Sequence, residues 1–205
     1  MAKTLKNENR PMLVLVLLAN LAFFALVLKT NSIVFADVVA ATREWQSLLP
    51  AGLGLVACGV VNELLSPNVK ARLVFWRWRN PLPGSEAFSR YAPADRRVDM
   101  ERLRKKVGKL PTAPEEQNAA WYQLYKKVSG KAPIADAHKA FLFCRDYAAM
   151  TVLLFVVLGS VVVWQVRPLQ TVFVYLLILA MQYVIVRIAA VNAGRRLVTN
   201  VLATA

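Results

Sequence analysis

The chain has 205 residues, 57% of them hydrophobic, yet 26 Lys and Arg against 12 Asp and Glu leave a net charge of +14. Apolar content that high excludes intrinsic disorder over most of the length and argues against an ordinary soluble domain. Two cysteines, Cys58 and Cys144, and a single histidine, His138, exclude a disulfide scaffold and a His-rich metal centre.

Grease and positive charge must therefore be segregated along the chain, as in an integral membrane protein with a basic water-exposed part. Residues 1–10 are polar and carry Lys3, Lys6 and Arg10. Residues 11–28 form an apolar run of 18 broken only by Asn20 and closed by Lys29. That run is long enough to cross about 30 Å of hydrocarbon, and longer than the usual core of a signal peptide. After a mixed segment at 31–47, residues 48–65 make a second apolar run, rich in small residues. Gly54 and Cys58 lie four apart on it and would let a neighbouring backbone come close.

Residues 67–145 differ in kind. They hold 17 Lys and Arg against 7 Asp and Glu, and most of the prolines. Asn80-Pro81-Leu82-Pro83-Gly84 is a turn or rigid loop. Helical spacing of Met100, Leu103 and Val107, stopped by Gly108, predicts a short helix over 95–107. Thr112-Ala113-Pro114-Glu115 matches a capping box with Pro just inside the start of a helix reaching about Val128. Trp121 and Tyr125, four apart on it, are candidates for a small core. A further helix is predicted from about Pro133 into a third apolar run, 148–166. Arg167-Pro168 breaks it, and a fourth run follows at 169–190, before a tail with Arg195 and Arg196.

The expected fold is thus an all-α membrane protein: four transmembrane helices in two hairpins with a small helical cytosolic insert. Its units are 1–66 (tail and first hairpin), 67–145 (basic insert) and 146–205 (second hairpin and C-terminal tail). With both termini inside, 23 basic residues fall on the inner side and three (Lys29, Arg43 and Arg167) on the outer, a strong positive-inside bias. The bacterial inner membrane is the expected location.

No nucleophile elbow, zinc-protease motif, Walker loop, dinucleotide fingerprint or CxxC is present. The chain is expected not to be an enzyme and to need neither cofactor nor metal. Polar groups at membrane depth carry more information. Asn20 calls for an interhelical hydrogen bond, or a ring of amides lining a pore in an oligomer. Glu63 and Arg187, near the inner ends of their helices, would pair or reach the headgroups. From Lys70 to Arg79, bases alternate with aromatics: Arg72, Phe75, Trp76, Arg77, Trp78, Arg79. This pattern suits the headgroup layer, or a single-stranded nucleic acid with Trp stacking and Arg on phosphate. Arg96, Arg97, Arg102, Arg104, Lys105, Lys106 and Lys109 form a denser patch for a polyanion, an anionic leaflet or plain solvent.

Two short apolar hairpins around a basic insert resemble the small four-span membrane effectors of bacterial anti-phage defence, such as the channel effector of Hailong-type systems and the membrane component of Kiwa-type systems. The resemblance covers the chain as architecture. Asn80-Pro81-Leu82-Pro83-Gly84 and Glu116-Gln117-Asn118-Ala119-Ala120-Trp121-Tyr122 have the look of signatures, and no residue role is carried over. It implies a homo-oligomeric channel or depolarising effector controlled by an oligonucleotide or nucleotide; the charge pattern of the insert itself makes Arg77, Arg79, Arg96, Arg97, Arg104, Lys105 and Lys106 the candidate ligand residues. Four spans are too few to enclose a wide aqueous path, so several copies, a tetramer in the favoured form, would surround it. The alternative is a membrane sensor or scaffold whose insert recruits a soluble, DNA-acting partner.

Overall fold

A computed structural model describes residues 5–33, 60 and 63–205. All regular structure among them is helical: α1 (Leu5–Thr30), α2 (Pro67–Phe75), α3 (Met100–Val107), α4 (Pro114–Val128), α5 (Ala132–Gln165) and α6 (Leu169–Thr204). Three of these, α1, α5 and α6, are long and apolar enough to cross a membrane. The protein is accordingly a helical membrane protein. The second expected span, 48–65, with its Gly54 and Cys58 face, lies outside the described residues apart from Val60 and 63–65, and three spans are counted among the described residues.

The hairpin of α5 and α6 dominates. Both helices outrun their apolar segments. At 1.5 Å per residue, 34 and 36 residues span about 51 and 54 Å, well beyond a hydrocarbon core of about 30 Å. Their two halves are buried differently. In the apolar half, Val156, Val157, Val163, Phe173 and Ile185 are exposed, as suits a lipid-facing wall. The opposite face packs with α1 through Leu13, Leu17, Val27, Leu154, Leu158, Val162, Tyr175 and Leu179. The other half is clad by the insert, whose core joins Phe75, Phe88, Leu103, Trp121, Leu124 and Phe141 to Ala190, Leu197, Val198 and Val201. Residues 190–205 are therefore the helical end of α6 and a wall of the insert's core, where the sequence suggested a tail.

Within the insert, local chemistry sets the ends of the elements. Ser66 caps α2, accepting from the Val69 N–H, with Pro67 in the first turn. Trp76 ends α2 in a left-handed conformation (φ 54°), its N–H returned to the Arg72 carbonyl. A 3₁₀ turn (Pro83–Glu86) runs into a π-helical turn (Ala87–Tyr91) and a last helical turn (Ala92–Ala94). α3 starts at Met100, five residues later than expected. Asp99 takes the cap, accepting from the Glu101 and Arg102 N–H groups, while Asp95 closes a turn on Arg97. Gly108, at φ 80°, stops the helix as the sequence suggests.

α4 occupies its expected range, but its capping box does not form. Ala113 is the cap residue and has no side-chain bond. Asn80 Nδ2 donates to Glu115 Oε1 at 2.6 Å, and Gln117 Nε2 donates to the Thr112 carbonyl. Tertiary partners have outcompeted the local ones. The two conspicuous sequence stretches face each other here: a Cβ on Gly84 would lie 2.6 Å from Asn118 Oδ1 and 2.7 Å from the Trp121 ring. Only glycine lets the 3₁₀ turn seat against α4 at that distance.

Candidate functional site

The basic residues fall into two clusters anchored at different heights on α6. The far cluster is α3 and the turn before it. Arg97 grips Asp95 through Nε at 3.0 Å and Nη2 at 2.7 Å, and reaches Asn200 and Thr199 at 3.2 Å each. The Arg97 bond holds the Asp95 carboxyl down to about 2 and raises the guanidinium's own pKa in return. Lys106 Nζ donates to the main-chain oxygen of Ala205. α3 is thus fastened to the end of α6 at both of its ends. Arg96, Arg102, Arg104 and Lys105 are exposed. They have no ion-pair partner among the described residues.

The near cluster is the segment after α2. Trp76 Nε1 donates to the Tyr183 hydroxyl at 2.9 Å, and that hydroxyl donates to the Leu73 carbonyl at 2.8 Å. The Arg187 guanidinium lies 3.5 Å from the centroid of the Trp76 ring, a close cation–π contact. Its buried Nε has no hydrogen-bond partner among the described residues. Arg77 pairs with Glu86 at 2.6 Å, and Arg90 pairs with the same carboxylate at 3.2 Å. Burial pushes the Glu86 carboxyl up, but the two arginines outweigh it and the net shift is downward. Arg79 and Trp78 are exposed.

Arg187 and Thr199 are twelve residues apart on one helix, about 18 Å along its axis. The structure therefore separates Arg77 and Arg79 from Arg96, Arg97, Arg104, Lys105 and Lys106. Of the intramembrane candidates, Asn20 is buried, but its amide donates to Val16 of its own helix at 2.8 Å. That bond is intrahelical, where an interhelical one was expected. Glu63 is exposed on the helical turn at 63–64, ahead of α2. Arg187 is engaged by Trp76.

Three constellations escaped the sequence reading. Asp146 Oδ1 accepts from Lys70 at 3.2 Å and from Arg145 at 2.8 Å, with Lys70 and Asp146 almost fully buried between α2 and α5. Asp146 is the only acidic residue after Asp136. An isolated carboxylate at the edge of an apolar run was the available signal. Gln117, 2% exposed, accepts from the Phe88 and Ser89 N–H groups and the Ser89 hydroxyl. His138 meets the Tyr125 hydroxyl through Nδ1 at 2.8 Å, the rings edge to face. Among the described residues, no three His, Cys, Asp or Glu converge on a metal.

Comparison with family models, with curated proteins and with solved structures finds no match to this chain.

Proposed function

We propose that the protein is a homo-oligomeric channel or membrane-depolarising effector of the bacterial inner membrane, serving anti-phage defence. Its cytosolic insert takes an anionic ligand, an oligonucleotide or nucleotide, at Arg96, Arg97, Arg104, Lys105 and Lys106. One observation carries the reading: this patch is fastened to the end of α6, and α6 runs unbroken from there through its apolar half. A ligand pulling on α3 loads a helix that crosses the bilayer, with no flexible joint to absorb the displacement. The defence setting rests on the architectural resemblance, and the inward-facing insert on the distribution of basic residues. Several copies, four in the favoured form, surround the ion path.

Purified protein in planar bilayers tests this. Single-channel steps that change when short oligonucleotides reach the insert's side support it; silence with and without them counts against it. Ligand affinity should fall in Arg104→Glu/Lys105→Glu. Three phosphate contacts to a single strand also predict affinity about 20-fold weaker at 200 mM than at 50 mM salt, through counterion release. Salt-insensitive binding contradicts the contact. A second reading, a membrane sensor that recruits a soluble protein, draws on the same exposed Arg96, Arg104 and Lys105, which suit an acidic surface. A stoichiometric cross-linked partner with membrane potential intact would favour it.

A further inference from the structure

Two grooves adjoin on the near cluster and share a wall made by Arg72 and Trp78. The first is apolar, about 380 Å³, between Val69, Leu73 and Trp76, with Arg77 at its rim. The second is polar, about 470 Å³, and offers Asn68, Arg79, Ser85, Glu115 and Asn118. Their order relative to the membrane follows from what each touches. Trp76 is held by Tyr183 and Arg187, 14 and 18 residues into α6, or about 21 and 27 Å from its start. That is the depth of the second edge of a hydrocarbon core of about 30 Å. The polar groove ends on α4, on the insert's side.

The exposed surface agrees with this placement. Trp76 is 64% and Trp78 83% exposed, and Leu64 on the preceding turn 65%. Bare tryptophans at this depth are the anchors of an interfacial belt. Arg72 and Arg79 are exposed and have no ion-pair partner among the described residues. The alternation that suited either lipid or nucleic acid thus resolves into an apolar trough toward the membrane and a cationic, hydroxyl- and amide-lined trough away from it. The first trough fits an acyl chain, which a nucleotide lacks.

We infer that this pair of grooves is a binding site for an anionic glycerophospholipid: the acyl chain lies along Val69, Leu73 and Trp76, the phosphate at Arg72, and a hydroxyl-bearing headgroup reaches Arg79, Ser85 and Asn118. Glu115, already accepting from Asn80, disfavours a second phosphate there and favours a hydroxyl. The site is distinct from the patch on α3 and stands whether or not that patch takes a nucleotide.

The test is lipid retention by the full-length protein, released from detergent carrying equal phosphatidylglycerol and phosphatidylcholine, read by native mass spectrometry. The wild type should retain phosphatidylglycerol preferentially. Arg72→Gln/Arg79→Gln should retain it about twenty-five-fold less, at about fivefold per interfacial arginine, and Arg96→Gln/Arg104→Gln should leave it unchanged. Both altered side chains are exposed, and an unshifted melting temperature shows the fold intact. Val69→Asp, which puts charge in the apolar trough, should also weaken retention, while millimolar glycerol 3-phosphate, the headgroup chemistry without chains, should not displace the lipid. Equal retention of the two lipids overturns the assignment, as does undiminished retention in Arg72→Gln/Arg79→Gln. Displacement of the lipid by a single-stranded oligonucleotide that the same variant no longer binds would give the segment to nucleic acid instead.

Discussion

Replacing Gln117 should loosen one part of the insert and leave the membrane hairpin alone. Its carboxamide oxygen is the acceptor for two consecutive main-chain N–H groups at the start of the π-helical turn, Phe88 and Ser89, each at 3.0 Å, and its nitrogen donates to the Thr112 carbonyl at 2.9 Å. In Gln117→Met the volume is kept and all of these bonds are lost. Phe88 is 4% exposed, so its N–H is stranded away from water, at about 1–3 kcal/mol. Ser89 is exposed and can turn to solvent, which adds little. The part-buried Thr112 carbonyl adds about 1 kcal/mol. The sum is about 2–4 kcal/mol against local opening, or roughly 30- to 900-fold faster amide exchange in Ala87–Tyr91. Hydrogen exchange by mass spectrometry on the detergent-solubilised protein reads this directly. Gln117→Glu keeps the acceptor and should fall between the two. Unchanged exchange in this turn, or an equal rise in the apolar halves of α5 and α6, would refute the reasoning.

Asp146→Ala removes the carboxylate between two cations and should cost about 3–5 kcal/mol, while Lys70→Met/Asp146→Leu recovers part of the loss, Arg145 being left without its carboxylate. Denaturant unfolding in detergent measures both, and a double variant as weak as Asp146→Ala contradicts the ion-cluster account. At Gly194 a Cβ would lie 2.8 Å from the Phe75 ring and 3.1 Å from that of Phe141. Gly194→Ala should therefore lose about 1–3 kcal/mol to overpacking, offset by about 1 kcal/mol of helix propensity. A double-mutant cycle with Phe75→Leu should show strong non-additivity, and simple addition would mean that the close approach is absent. For pH, the Asp95 carboxyl is lowered from 3.8 to about 2 by Arg97. Its contribution is full above about pH 4 and is lost as pH falls toward 2. The melting-temperature gap between wild type and Asp95→Asn should be constant near neutrality and close across that window; a gap that widens in acid has the wrong sign.

The sequence by itself determined where the chain can cross a membrane and where its charge gathers. An apolar run of eighteen residues has few other solutions, and prolines with polar residues punctuate what lies between. It also set a local stop that needs no partner, Gly108 after α3. The tertiary structure decided what those local rules left open. The capping box at Thr112 yielded because Asn80 and Gln117 offered Glu115 and the Thr112 carbonyl other partners. Asn20 bonds along its own helix because the Val16 carbonyl lies one turn away. The end of α6 became a wall of the insert because its apolar stripe (Leu197, Val198, Val201) met Phe75 and Phe141 around Gly194. The basic residues, nearly continuous in sequence, were parted because Trp76 and Arg97 reach α6 about 18 Å apart. Periodicity records which face of a helix is apolar; only packing between distant segments determines which polar groups meet across it.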